Sequence, residues 1–246
     1  MTMPATAAAK SQALAEPLIE TRAATRILPG IVPTTLVNNV NLRIDPHQFV
    51  AITGPSGSGK SSLLYLLGLL DLPTSGEVAI RGRSTATMDE DERALVRLTT
   101  LGFVFQFHFL LPEFTIVENV ALPMRALGRL PQRSILGRAR DILASLGLAD
   151  HLTKRPDQLS GGQRQRVAVA RSLANDPPII LADEPTGSLD SKASEQVFDL
   201  LRDLVDREGK TVVAVTHDLG LAARMDRRIH LVDGAVALDE AVPRSP

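Results

Sequence analysis

The chain has no cysteine and no tryptophan, and its 246 residues include one tyrosine and seven phenylalanines. Without cysteine there is neither a disulfide framework nor a thiolate metal site. Charge of neither sign dominates, with 27 Lys and Arg against 28 Asp and Glu, so nucleic acid is not an expected partner. No stretch approaches the roughly 20 apolar residues needed to cross a bilayer. Any membrane connection is therefore expected to run through a partner. The opening residues Met1 to Lys10 lack a basic segment followed by an apolar one, and no signal peptide is expected there. Residues 1–22 read as a disordered, Ala-rich tail. The chain does have apolar bulk, at 44% of its residues, enough for a single domain over 23–246.

The pattern along the chain is a set of short apolar runs separated by helical stretches. Leu36–Ile44 alternates and reads as a strand, as do Val50–Thr53, Glu77–Ile80, Gly102–Phe105, Ile179–Ala182 and Thr211–Thr216. Ile229–Val232 opens a terminal hairpin. Helices are expected over Asp89–Arg97, Arg164–Ala174 and Ser194–Glu208. From Thr115 to Asp157 helical patterns dominate, with breaks expected at Pro123, Pro131 and Pro156. Short apolar strands alternating with helices predict an α/β fold with a mainly parallel sheet covered on both faces. No internal repeat and no second phosphate loop is present.

Gly54-Pro55-Ser56-Gly57-Ser58-Gly59-Lys60-Ser61 fits the phosphate-loop pattern G-x-x-x-x-G-K-[ST] without a mismatch. An apolar strand precedes it, and a helix beginning with Ser62 follows, which argues against a Gly/Ser linker. The glycines let the chain turn tightly and aim its N–H groups at anionic oxygens. Lys60 is expected to hold the outer phosphates, Ser61 to bind Mg²⁺, and the helix N-terminus to favour the same charge.

Three further strands end on polar residues, where ligands sit in open α/β sheets. Asp183 follows Ile179–Ala182 and suits Mg²⁺. Glu184 beside it can take a proton from an attacking water. His217 follows Thr211–Thr216 and is expected to hydrogen-bond the γ-phosphate. Gln106 follows Gly102–Phe105, and its uncharged amide can reach Mg²⁺ or the water. Leu159-Ser160-Gly161-Gly162-Gln163 opens the Arg164 helix. Ser160 is a good helix cap, but the glycines and the helix N-terminus also suit phosphate. One ATP hardly needs two cradles from one chain. The economical arrangement is a head-to-tail homodimer in which 159–163 covers the partner's nucleotide, with Asp190 carrying contacts across the same interface.

Over roughly residues 35–238 these motifs resemble the ATPase subunits of ABC transporters. The correspondence is Walker A at 54–61, the Q-loop at Gln106, the signature at 159–163, Walker B at 179–183 with Glu184 after it, the D-loop at 188–190 and the H-loop at His217. The resemblance implies a P-loop NTPase core with an antiparallel β subdomain and an α-helical subdomain inserted over approximately 107–170. It implies ATP hydrolysis with Mg²⁺. It also implies a homodimer bound peripherally, through its permease, to the cytoplasmic face of the inner membrane. Phe105–Thr115 followed by Glu118-Asn119-Val120 is similar to the lipoprotein-release branch, LolD-like, whose permeases are of the MacB/LolC/LolE type. Ala182–Asp190 and Thr216–Leu219 are shared with the macrolide-export MacB group and the YbbA group. A division-type signalling ATPase acting through a transmembrane partner is the remaining alternative.

The scarcity of aromatics bears on two points. Four of the seven Phe lie at 103, 105, 107 and 109. The first two read as strand core. Phe107 and Phe109 lie beyond the strand end and need cover, from a partner or from the helical subdomain. The family's adenine-stacking aromatic is absent, since no Phe, Tyr or Trp precedes Phe49. Ile27 or Leu28 stands near its place, so an aliphatic contact to the base is expected. His47-Gln48 replaces the family's Gly-Glu, with little expected effect.

Overall fold

A computed structural model of the protein describes residues 16–243. Strands β1 (Ile19–Leu28), β2 (Thr34–Ile44), β4 (Ser75–Ile80) and β5 (Arg83–Ser84) form an antiparallel sheet in the order β2-β1-β4-β5. The second sheet uses β3 (Phe49–Thr53), β6 (Leu101–Phe105), β7 (Ile179–Asp183), β8 (Thr211–Val215), β9 (Arg227–Val232) and β10 (Ala235–Ala241), in the order β10-β9-β3-β8-β7-β6. All of its pairings are parallel except that of β10 with β9.

The central strands are apolar on both sides, as a sheet covered on both faces requires. On one face Val50, Ile52, Leu181, Val213 and Val215 pack against α1 (Lys60–Leu67). The antiparallel sheet closes over that helix with Ile19, Val37, Val40 and Ile44. This explains why Leu63, Leu64, Leu66 and Leu67 are all buried, since a helix between two sheets has no solvent face. On the other face Phe49, Ala51, Ile180, Ala182, Val212 and Ala214 meet α6 (Ser191–Asp206) and α5 (Gly161–Ser172).

A third core joins α3 (Ile116–Leu127), α4 (Gln132–Ser145) and α5 through Ile116, Val120, Met124, Ile135, Leu143 and Val167. Helix α5 serves both cores, with Val169 and the residue that caps its end, Leu173, toward the sheet and Val167 and Ala170 toward α3 and α4. The subdomain boundary expected near residue 170 therefore falls inside α5. Helix α2 (Glu90–Thr100) lies before β6, and the single turn α7 (Leu219–Ala222) before β9. Among the described residues no helix is long and apolar enough to cross a membrane.

Three expectations need correction. The tail drawn over 1–22 ends too late, because Ile19–Arg22 belongs to β1 and Ile19 is fully buried; residues 1–15 lie outside the described residues. Pro123 does not break its helix. Proline removes one backbone donor, but Ile116, Val117, Val120, Ala121 and Met124 are buried, and a Thr115–Glu118 capping box fixes the start. Helices α5 and α6 begin three residues earlier than expected, because Ser160 and Asp190 cap them through the N–H groups of Gln163 and Ala193.

Candidate active site

The parallel register aligns the strand ends. Phe105 pairs with Asp183, and Asp183 with Val215, so Gln106, Glu184 and His217 all emerge at one edge of the sheet. The loop between β3 and α1 lies at the same edge. At Gly54 a Cβ would stand 2.3 Å from Leu231 O, and at Gly59 2.0 Å from Leu36 O, with both residues at positive φ. Only glycine fits these positions. The Lys60 ammonium turns back into the loop, donating to Gly54 O at 3.0 Å and Pro55 O at 2.8 Å.

A cavity of about 460 Å³ opens beside the loop. Gly54, Ser56, Gly57, Gly59, Lys60, Ser61 and Ser62 line it, together with Leu36, Glu184 and His217. Pro55 and Ser58, expected with them, build the loop without lining the cavity. Ser58 N donates to Pro55 O, and Ser58 O accepts from Gly234 N.

Ser61 Oγ donates to Asp183 Oδ1 at 2.9 Å, so hydroxyl and carboxylate meet as expected of a divalent-cation site. Tyr65 donates to the other carboxylate oxygen, Asp183 Oδ2, at 3.0 Å. Burial, and then the Asp183 charge, push the Tyr65 phenol up to about 12, so it remains a donor at neutral pH. Oxygen donors of this kind fit Mg²⁺, which keeps several positions for phosphate and water. Among the described residues, no three His, Cys, Asp or Glu side chains gather to cage a metal.

Glu184 has a left-handed φ of 46°. This is an uncommon state for a side chain with a Cβ, and one that clusters at functional sites. Its N–H donates to Val215 O at 3.0 Å, and its Oε2 lies 3.3 Å from His217 Nδ1. A Cβ on Gly187 would stand 3.1 Å from both Gln106 Nε2 and Glu184 Oε2. Gln106 thus belongs to the Glu184 end of the site and does not line the cavity.

The signature segment lies elsewhere. None of residues 159–163 lines the cavity beside Lys60. Ser160 and Gln163 form a capping box, and Gln163 Nε2 meets His151 Nε2 at 2.9 Å. Ser160 is thus a helix cap; a cap hydroxyl accepts a bond and keeps its own proton to donate. Leu159 differs from expectation in its side chain, which is buried in the helical core rather than turned outward with Ser160. A Cβ on Gly162 would stand 2.9 Å from that of Ala193, and one on Gly161 3.5 Å from Leu189. The signature and the residues flanking Asp190 therefore form one continuous surface.

Phe103 packs on the core, whereas Phe107 and Phe109 are 71% and 62% exposed. The helical subdomain does not cover them. His108 and Phe109 both have positive φ, and Arg171 holds their carbonyls at 2.6 Å each. Burial, and then the Arg164 charge, lower the His108 pKa, with the nearby backbone of Phe107 and then of Gly161 acting in the opposite direction. Next to the exposed pair, a groove of about 370 Å³ is lined by Leu70, Leu98, Phe103, Phe105, Pro123 and others.

Residues 37–187 match the family description "ABC transporter". The chain belongs to the ABC transporter family. Membership carries ATP binding and hydrolysis with it. The chain is 52% identical over 206 residues to a lipoprotein-releasing system ATP-binding protein LolD 1 of Chlorobium chlorochromatii, covering 83% of each. It is 49% identical over 216 residues to a LolD of Anaeromyxobacter dehalogenans, covering 88% of this chain and 90% of the relative. Two dimeric structures of the ATP-binding cassette MJ0796, one a post-hydrolysis state bound to ADP and Pi, superpose with TM-score 0.85 at 44% identity. Each covers 92% of this chain and all of that one.

Sequence reasoning missed Tyr65 and Gly187 as site residues. Tyr65 was traceable, since it lies four residues after Ser61 and so shares its helix face. Gly187 carried no signal, because its need depends on two side chains that only the fold brings beside it.

Proposed function

We propose that the chain is the ATP-hydrolysing subunit of a lipoprotein-release ABC transporter, working as a head-to-tail homodimer beneath its permease. The observation carrying the dimer is the separation of the two phosphate cradles. The signature and the Asp190 turn share a surface away from the chain's own loop cavity. A second copy brings that surface over the first copy's nucleotide. The dimeric MJ0796 structures support this reading.

In each composite site the loop N–H groups and Lys60 hold the phosphates. Ser61 and Asp183 would hold Mg²⁺, and the Gln106 amide, beside Glu184, would reach the cation or the attacking water. The cation supplies charge neutralisation at the phosphates when bound. Glu184 accepts the proton of the attacking water, and His217, at the cavity wall, donates toward the γ-phosphate. Ser160, Gly161, Gly162 and Gln163 of the other copy complete the anion cradle through the α5 N-terminus.

The permease docks on the groove beside Phe107 and Phe109, through an amphipathic helix whose apolar face fills it. On this reading the chain works at the cytoplasmic face of the inner membrane, bound through its permease. The lipoprotein-release branch rests on the LolD relatives. The test is co-expression with a candidate permease of the LolC/LolE type, followed by ATPase assays with that permease in lipid nanodiscs. A lipidated protein should stimulate turnover, whereas a delipidated one should not. Equal response to both would overturn the substrate assignment and leave the ATPase assignment standing.

A further inference from the structure

One helix face holds both oxygens of Asp183. Ser61 and Tyr65 lie four residues apart on α1 and so project together. Ser61 Oγ donates to Oδ1 at 2.9 Å, and Tyr65 Oη to Oδ2 at 3.0 Å. Tyr65 is half-buried, with its ring packed against the core between the two sheets. The carboxylate therefore has a partner on each oxygen, and the plane through its two oxygens is set.

We propose that Tyr65 is a positioning residue for nucleotide-bound Mg²⁺, fixing Asp183 so that its other oxygen faces the cation together with the Ser61 hydroxyl. The inference rests on the Mg²⁺ role given above to Ser61 and Asp183. Mg²⁺ demands near-ideal octahedral geometry at short distances, so a carboxylate free to rotate is a poorer ligand than one already aimed. A neutral phenol suits this task. It orients the carboxylate by donation and brings no positive charge to compete with the cation. Ser61 cannot do this alone, because its oxygen is itself wanted at the metal. Groups that hydrogen-bond a metal's ligands typically change metal affinity about 10- to 100-fold when removed.

The test is Tyr65→Phe in the full chain, which keeps the ring and its packing and removes only the donor. A fluorescent N-methylanthraniloyl ATP is bound first in excess EDTA and then titrated with Mg²⁺. The Mg²⁺ concentration at half-effect should rise about tenfold or more. Binding in EDTA should stay at the parent's value, because the phosphate loop has not changed, and the thermal midpoint should fall only by the one hydrogen bond lost at Asp183, because the ring and its packing remain. The same substitution in an Asp183→Asn background should then add nothing, since the two residues act through one contact. An unchanged Mg²⁺ requirement in Tyr65→Phe, or a binding loss of the same size in EDTA, overturns the proposal. Asp183→Asn separates the two failures. If it raises the Mg²⁺ requirement while Tyr65→Phe does not, only the role of Tyr65 falls. If it too leaves the requirement unchanged, the metal-site reading falls with it.

Discussion

Glu184 Oε2 and His217 Nδ1 lie 3.3 Å apart at the wall of the cavity beside Lys60. The two side chains leave different strands, and the parallel register of β7 and β8 brings them together. A carboxylate beside an imidazole, with the phosphate loop opposite, is placed to take a proton from a water. Glu184→Gln keeps the shape and removes the acceptor. Hydrolysis should fall about 10²- to 10⁴-fold, and an ATP-stabilised dimer should accumulate in size-exclusion chromatography with light scattering. Turnover within a few-fold of the parent would remove Glu184 from the role of base.

Gly187 is a second constraint on the same residues. An added Cβ would crowd Gln106 Nε2 and Glu184 Oε2 at 3.1 Å each, tighter than ordinary contact. Displacements of this size near a reacting centre are costly, so Gly187→Ala should lower kcat roughly tenfold. Its φ is not in the left-handed region, so backbone strain should not contribute. The thermal midpoint should therefore hold. A fall in both together would indicate a folding defect.

Lys60→Ala should abolish ATP binding, because Lys60 lines the chain's own cavity. Ser160→Arg should leave monomer binding nearly intact and abolish hydrolysis. Ser160 also caps α5, so this variant should lose about 1 kcal/mol of stability, visible in a thermal melt. A mixed dimer of the two mutants should recover one working site. If both lose equilibrium ATP binding equally, the shared site is wrong.

Phe107→Ser with Phe109→Ser should separate catalysis from docking. Both rings are exposed, so the isolated chain should bind ATP and melt as the parent does. Co-purification with the permease should drop at least tenfold, since buried aromatic anchors carry about 2 kcal/mol or more each at interfaces.

The parallel sheet was legible because Val50–Thr53, Ile179–Ala182 and Thr211–Thr216 are apolar at every position but the ends, which a covered sheet alone explains. The phosphate loop was legible because Gly54, Gly59 and Lys60 are local requirements at fixed spacing. The starts of α5 and α6 were set three residues late, although Ser160 was noted as a good cap and Asp190 is an ordinary one, because the first segment was read for phosphate and the second for contacts across the interface. Pro123 was read as a break because its cost is local and visible, whereas the packing of Val120 and Met124 that outweighs it is tertiary. Leu159 was grouped with the signature by position, and only the helical core showed where its side chain goes. Residues brought together across the fold, such as Gly187 with Gln106, leave no trace in spacing.

The aliphatic stand-in for an adenine-stacking ring yields the last prediction. Ile27 is half-buried in β1, opposite Thr35 of β2, while Leu28 is exposed. Leu36, one residue further along β2, lines the cavity beside Lys60. The apolar side chains available to a base here are thus aliphatic. Stacking on an aromatic contributes on the order of 1–3 kcal/mol by analogy with bases stacked elsewhere, and an aliphatic contact supplies part of that. GTP should therefore compete with ATP within about tenfold, since tenfold is about 1.4 kcal/mol. Ile27→Tyr or Leu28→Tyr should lower the KM for ATP with little change in kcat, because Lys60 and the loop hold the phosphates and Glu184 acts on the water, all independent of the base. The two positions differ in how much must move: a tyrosine at Leu28 has open space, whereas at Ile27 it must displace packed neighbours. Leu28→Tyr should consequently leave the thermal midpoint unchanged. A nucleotide competition assay on the purified chain decides the matter. Strong selectivity for ATP, or no gain from either tyrosine, would mean that another group holds the adenine.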